Sequence, residues 1–339
     1  MVSSPYPQFF FVRHAPALEG LDYLMPTEAT GLSDDYSTRS VPFRAKLLRL
    51  LGRQTWIPRG QDRILRAIWP PGKRLPFVVD FFGFRYPGNM AEFIDWNVFA
   101  YGCYAPAELA LLAALSSELR KRKSRIIVFD VGANVGHHTL FMAGHADEVV
   151  AFEPFPPLLQ RIREKIDLNR LTNVRLVPTA LGDSDGSLQY FPGREGMSGM
   201  GSFVSEEVRR NHDKDPVSLQ IRRGDQISSE LALPPMDILK IDVEGFEAGV
   251  LRGFRERIQR DRPVVLMEMT NLSGKGFESE QNFRECFWEG AAFAGVTGCS
   301  RRQYRLTPFR FSGPGASGEI LVAPPEMADF ITRRISGAR

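Results

Sequence analysis

Residues 126–139 read Ile126-Ile127-Val128-Phe129-Asp130-Val131-Gly132-Ala133-Asn134-Val135-Gly136-His137-His138-Thr139, and this stretch decides the fold. Ile126 to Phe129 form a short strand with no polar face, as expected when both sides of a sheet are covered. Gly132 and Gly136 allow a tight turn, and Thr139 to Ala143 opens a helix. Working outward, Val149–Phe152 and Val174–Val177 read as the next strands, with Leu158, Leu159, Ile162 and Ile166 marking a helix between them. Upstream, Leu109, Leu112, Leu115 and Leu119 share a helix face. Downstream come the strand Asp237–Ile241, a helix carrying Phe246, Val250, Phe254 and Ile258, the strand Pro263–Met267, and a helix carrying Phe283, Cys286, Phe287 and Phe293. Strands alternating with helices predict an α/β protein with a parallel, doubly wound sheet. The alternation loosens between Gly182 and Pro235, where Ser187–Phe191 and Val217–Arg222 read as extra strands or a loop excursion. Residues 294–323 suggest a closing β-hairpin.

The flanks are less regular. Residues 1–42, rich in Pro, Ser, Thr and Gly, read as a flexible tail, and residues 43–104 as a helix and strand extension packing on a core of residues 105–335. Phe43 to Arg53 alternates leucines with Arg44, Lys46, Arg49 and Arg53, a short basic amphipathic helix. Docking against the main domain is favoured over a membrane-surface role because the helix is short. Phe77 to Tyr86, aromatic and β-branched around Gly83, is a strand pair or a bulged strand.

Composition narrows the classes. The 339 residues are 43% hydrophobic and 24% charged, which is ordinary for a chain with a sizeable core. The longest apolar run, Leu109 to Leu115, falls far short of the roughly 18 residues of a spanning helix. Phe9-Phe10-Phe11-Val12 is too short for a signal peptide, and three widely spaced cysteines make neither a disulfide framework nor a zinc site. A reducing cytoplasm is the expectation. A net charge of +3 demands no polyanion, and Arg120-Lys121-Arg122-Lys123 with Arg125 reads first as cations at a helix C-terminus, second as an anion- or partner-binding patch.

In an open α/β sheet, ligands gather at the carboxyl ends of the strands. There Asp130 stands beside the glycine turn, and Glu153-Pro154 closes the next strand, 21 residues after Gly132, at the distance of a ribose-binding acid. A dinucleotide fingerprint needs glycine at the first, third and sixth positions, which here are Gly132, Asn134 and His137. The D-x-G-x-x-x-G turn suits S-adenosylmethionine (SAM) better, since SAM has no pyrophosphate to seat and its cationic parts prefer carboxylates and carbonyls.

At these residues the chain resembles the FkbM-type SAM-dependent methyltransferases. The resemblance is carried by Phe129–Gly136, Phe152-Glu153-Pro154, Ala180-Leu181-Gly182-Asp183 and Leu239-Lys240-Ile241-Asp242-Val243-Glu244-Gly245-Phe246-Glu247, and runs from about Ile126 to Glu268. It implies a class I methyltransferase, Rossmann-like fold of seven strands with the last antiparallel. It also implies methyl transfer to a hydroxyl of a sugar, glycan or natural product. By the same resemblance Asp130, Gly132, Asn134 and Gly136 line the methionine part of SAM, Glu153 holds the ribose, and Ala180 and Leu181 flank the adenine; Ala133, His137 and Pro154 are further candidate cofactor contacts. The family's upstream Tyr-Glu pair is split here into Tyr104 and Glu108, and His137-His138 departs from the aromatic or small residues of relatives.

Methyl transfer is an in-line displacement that depends on holding the acceptor about 3 Å from the methyl carbon, with a base for a hydroxyl proton. Asp242 and Glu244 are the candidate catalytic acids and Lys240 their orienting cation; Glu244 and Glu247 also suit a helix N-terminus. Glu247, Glu268 and Ser202, the last within the glycine–serine loop Met197–Phe203, are candidate acceptor contacts. No metal-ligand spacing is evident. No Asp-Pro-Pro-Tyr tetrad follows Ile241 and no aromatic–basic interleaving occurs, which counts against nucleic acid as substrate. Phe11-Val12-Arg13-His14-Ala15-Pro16 mimics a histidine-phosphatase motif without its further histidine and reads as coincidence or remnant. Two other readings remain: methylation of an amine or carboxyl of a secondary metabolite, and a catalytically silent SAM-fold module that binds a partner.

Overall fold

The computed structural model describes residues 42–54, 60–193, 201, 215–269, 276–300, 303–309, 311 and 318–335. The expected tail (Pro42 aside), the Arg13-His14 motif and Ser202 lie outside the described residues.

The chain begins with α1 (Phe43–Gly52) and α2 (Gln61–Ile68), followed by the hairpin β1 (Pro76–Phe81) and β2 (Phe84–Asn89). Phe82 and Gly83, the two loop residues, both have positive φ (52° and 84°), which matches the twist of a two-residue hairpin. Helices α3 (Phe93–Tyr101) and α4 (Pro106–Arg120) lead to β3 (Ile127–Val131), α5 (His137–Ala143), β4 (Glu148–Phe152), α6 (Pro156–Asn169) and β5 (Val174–Val177). Next come β6 (Ala180–Gly182), β7 (Gly186–Tyr190), β8 (Val217–Arg223) and α7 (Gly224–Glu230). The loosened region thus becomes a separate small sheet of order β6-β8-β7. The main pattern resumes with β9 (Ile238–Ile241), α8 (Glu247–Gly253), α9 (Arg255–Asp261), β10 (Val264–Met269) and α10 (Glu280–Arg284). It closes with β11 (Ala292–Ser300), β12 (Gln303–Pro308), β13 (Gly318–Ala323) and α11 (Ala328–Ile335).

The central sheet runs β12-β11-β13-β10-β9-β3-β4-β5, parallel from β10 to β5, with β13 inserted antiparallel between β10 and β11. This is the class I methyltransferase order, with the last strand antiparallel. The expected seven strands become eight, because β12 returns along β11 and buries Leu306 in the core. Chain order reverses between β3 and β9, so their carboxyl ends open the crevice in which such folds bind ligands.

Strand alternation divides the core. Val128, Val149, Ile238, Leu266 and Leu321 pack with α4, α5 and the N-terminal elements on one face; Phe129, Phe152, Leu239, Met267 and Val322 pack with Leu251, Phe254, Ile258 and Phe283 on the other. The N-terminal elements are tied down by buried Asp95, which accepts from the Tyr86 hydroxyl (2.9 Å) and the Asn89 amide (2.7 Å) and pairs with Arg161 of α6. A buried carboxylate so fully matched fixes the hairpin against α6.

Candidate active site

The glycine turn is shaped by what leaves no room. Gly132 has φ 81°, and a Cβ there would lie 1.8 Å from the Asp242 carbonyl oxygen, so the loops after β3 and β9 touch through backbone. Asn134 (56°) and Gly136 (77°) are also left-handed, and a Cβ on Gly136 would crowd Ile162 at 3.0 Å. The resulting bend aims the Asn134 amide at Glu153, whose Oε2 accepts it at 2.9 Å, while Oε1 accepts the Phe155 amide at 2.9 Å. Each carboxylate oxygen accepts more than one donor, so the carboxylate keeps capacity for a pair of ribose hydroxyls. Burial raises the Glu153 carboxyl to about 8 against the pull of the two amides. Asp130, 1% exposed, accepts the Thr139 hydroxyl at 2.6 Å through Oδ2, whereas Oδ1 has no hydrogen-bond partner. A buried carboxylate oxygen without a hydrogen-bond donor, near the acid Glu153, is an acceptor set that fits SAM, a nucleoside carrying an ammonium group and a sulfonium. Ala133 packs on Ala151 and Ile162 below the turn. Pro154 follows Glu153, whose own amide donates to the Val177 carbonyl; Ala180 and Leu181 lie buried just beyond, in β6.

His137 lies beneath the hairpin. Its ring is 1% exposed, lies 5.0 Å from the ring of Phe81, and accepts the Tyr104 amide at Nε2 (3.2 Å). Burial and the neighbouring His138, Lys165 and Lys240 hold it neutral. The side chain packs among the aromatic rings under the hairpin. Glu247 is fully buried, and its Oε1 accepts the amides of Val243 (3.2 Å) and Gly245 (3.0 Å), so it clamps the loop after β9.

The remaining charges converge through strand register. Asp130 pairs with Lys240, and Lys240 with Leu266; Asp242 and Glu268, each two residues further, return to the same face, where Glu268 pairs with Glu319 of β13. Lys240, 2% exposed, places Nζ 3.2 Å from Asp242, 3.9 Å from Glu108 and 4.0 Å from Asp130. Burial opposes its charge, but these three carboxylates outweigh that and keep it protonated. Glu108 in turn lies 3.1 Å from His138 Nε2; burial would raise it, yet His138 and Lys240 hold it well below the usual range.

One cation does not balance the acids above it. Glu244, in a left-handed backbone conformation (φ 50°), is raised by burial and by Asp242, Glu268 and Glu247. Glu268 is raised to about 7 by Asp242 and by partial burial, although its side chain reaches solvent. Burial, Glu108 and Glu268 raise Glu319 to about 9. The Tyr104 phenol, raised by burial and by the fields of Asp242, Glu268, Glu108 and Glu244, faces the same space as a neutral hydroxyl. Among the described residues, no group of three or more His, Cys, Asp or Glu is arranged to hold a metal ion.

Sequence reasoning placed Lys240, Asp242, Glu244 and Glu268 together. It missed Glu319 as a site residue and used Tyr104 and Glu108 only as departures from a family pattern. Glu319 shares strand parity with Leu321, but only the antiparallel register sets it opposite Glu268.

Residues 130–294 match the family model described as the methyltransferase FkbM domain. Among curated proteins, methyltransferase sdnD of Sordaria araneosa is 27% identical over 251 residues, 63% of this chain and 90% of that protein. The 2-O-methyltransferase NoeI of Sinorhizobium fredii is 26% identical over 148 residues, 40% of this chain and 60% of that protein. The hexuronic acid methyltransferase AglP of Haloferax volcanii is 28% identical over 140 residues, 41% of this chain and 54% of that protein. The chain thus spans little more than half the length of the last two. The match, the sheet order and the turn geometry agree: residues 130–294 carry a SAM-dependent methyltransferase fold that is similar to the FkbM family.

Proposed function

We propose that the protein transfers a methyl group from SAM to a hydroxyl of a sugar, glycan or natural product. The observation that carries the reading is the carboxylate row Asp242, Glu268 and Glu319, one strand-end beyond the glycine turn and overlooked by Tyr104. NoeI, by its printed name a 2-O-methyltransferase, supports a hydroxyl acceptor, and AglP, by its printed name a hexuronic acid methyltransferase, supports a sugar acid as acceptor class. Glu153 would hold the ribose, Asp130 and the backbone of the turn the amino-acid part; SAM supplies an electrophilic methyl group. The chain then has to orient a hydroxyl and take its proton. Asp242, held by Lys240, would orient the hydroxyl, and Glu268, with basicity raised toward neutrality and an open face, would accept its proton as the O–C bond forms and the S–CH3 bond breaks, the electron pair of the latter leaving with sulfur as the neutral thioether. Neutral Tyr104 donates toward acceptor oxygens.

A second reading, an amine acceptor, draws on the excess of carboxylates over Lys240, which suits a cation. A cytoplasmic setting is part of the proposal, and a nucleic-acid substrate is not. The test is an acceptor screen with labelled SAM, read by mass spectrometry. Methylated neutral sugars support the first reading, methylated amines the second. SAM binding without transfer to any acceptor would leave a silent module.

A further inference from the structure

Helix α1 buries only one of its two apolar faces. At 100° per residue, Ala45, Leu48 and Gly52 point one way and Phe43, Leu47 and Leu50 the opposite way. The first set is packed hard: Ala45 and Leu48 are fully buried, and a Cβ on Gly52 would meet the Ala100 carbonyl oxygen of α3 at 2.0 Å. The Gln61 amide locks the end of the helix by donating to the carbonyls of Leu51 (2.6 Å), Gly52 (3.2 Å) and Gln54 (3.1 Å). The second set faces out, with Phe43 77% and Leu50 61% exposed, and Ile64 of the adjoining α2 46% exposed. Arg44 flanks this stripe on one side, Lys46 and Arg49 on the other; Phe43–Arg53 contains no acid, and among the described residues these three cations form no ion pair.

The contrast with the other basic run is instructive. Arg120, Lys121, Lys123 and Arg125 are paired with Asp147, Glu118, Asp237 and Glu148, and Arg122 donates to the Glu326 carbonyl, so four of the five cations of that cluster are ion-paired within the fold. Among the described residues, α1 joins unpaired cations to large exposed apolar side chains, with Ile64 of α2 beside them.

We propose that the outward face of α1 docks on an anionic lipid surface. A second copy of the chain is the poorer occupant. An isologous contact would set Arg44, Lys46 and Arg49 against their own copies, and three apolar side chains fall well below the roughly 800 Å² per partner of a stable interface. A bilayer carrying acidic headgroups receives the rings and leucines at its boundary and the cations among its phosphates, each near-surface cation adding to the binding. This inference is independent of the acceptor chemistry proposed above.

Flotation of the full chain with vesicles tests it, using phosphatidylglycerol mixed equally with phosphatidylcholine, and phosphatidylcholine alone. The expected result is partition onto the acidic vesicles at about 0.05 M salt, several-fold loss at about 0.5 M, and little on the neutral ones. Phe43→Ser with Leu50→Ser, and separately Arg44→Gln with Lys46→Gln and Arg49→Gln, each reduce partition about tenfold or more while the far-ultraviolet circular dichroism stays unchanged. Absence of partition, equal binding by both multiple variants, or equal binding to neutral vesicles overturns the proposal. So does light scattering that finds a dimer which Phe43→Ser with Leu50→Ser dissolves, because a second copy then covers the face.

Discussion

Glu268 and Glu319 stand directly opposite one another across the antiparallel β10–β13 pair, on the face that also carries Asp242. Like charges in that position are destabilising; burial first, then Glu108 and Glu268, raise Glu319 to about 9, while Asp242 and partial burial raise Glu268. An acid raised in the folded state is protonated there while its unfolded counterpart already ionises. Its penalty is absent below the unfolded value of 4.5 and accumulates as pH climbs toward 9. Glu319→Gln is therefore expected to raise the melting temperature at pH 8 by about 3 °C or more and to flatten its decline between pH 5 and about 9. A thermal series at several pH values checks this; a variant less stable than the wild type at pH 8 contradicts it.

The rate has its own signature. With Glu268 raised to about 7 and acting as proton acceptor, turnover on a hydroxyl acceptor should climb as pH passes through about 7, because only the ionised form takes the proton. Glu268→Gln is expected to lower kcat roughly a hundredfold or more and to remove that limb, with SAM affinity unchanged. If the limb survives in the variant, another group is the base, and Glu244, raised by burial and its acidic neighbours, is the next to replace.

How much of this was legible in the sequence follows from which interactions are local. The strand Ile127–Val131, the turn at Gly132 and Gly136, and the acid at Glu153 are written in consecutive residues, so pattern and motif reach them. The assembly of Lys240, Asp242, Glu244 and Glu268 is legible because parallel strands bring their carboxyl ends to one edge. Glu319 and the extra strand β12 depend on an antiparallel register set by a connection far from the motifs, which no local pattern encodes. The packing of His137 was illegible for a different reason: it follows the ligand turn in sequence, while the hairpin from Pro76 to Asn89, far upstream, covers it with Phe81 and Tyr86. The Glu247 clamp was illegible likewise, since only the folded loop brings the amides of Val243 and Gly245 to its Oε1.

Gly132 provides a backbone test. A methyl group there would overlap the Asp242 carbonyl oxygen at 1.8 Å, with φ at 81°, so neither a side-chain shift nor an easy backbone adjustment accommodates it. Gly132→Ala should cost about 3 kcal/mol or more in urea unfolding and abolish measurable SAM binding even where the folded form persists. Gly186, where a Cβ meets nothing within 4 Å, is the control, and Gly186→Ala should retain both stability and binding.

The cofactor assignment is tested at Glu153 through protons. Its carboxyl, raised to about 8 by burial, is largely protonated in the free protein at pH 7. A cationic nucleoside whose ribose hydroxyls donate to this group favours the ionised form, so binding should expel a proton at pH 7 and strengthen as pH rises toward about 9. Calorimetry in two buffers of different ionisation enthalpy measures that release directly. Glu153→Gln keeps an acceptor oxygen for one backbone amide but replaces the other oxygen with a donor that opposes the second amide. It is expected to weaken SAM at least tenfold and to cancel both the proton release and the pH dependence. Proton release of equal size in Glu153→Gln would move the titrating group elsewhere, and the ribose assignment with it.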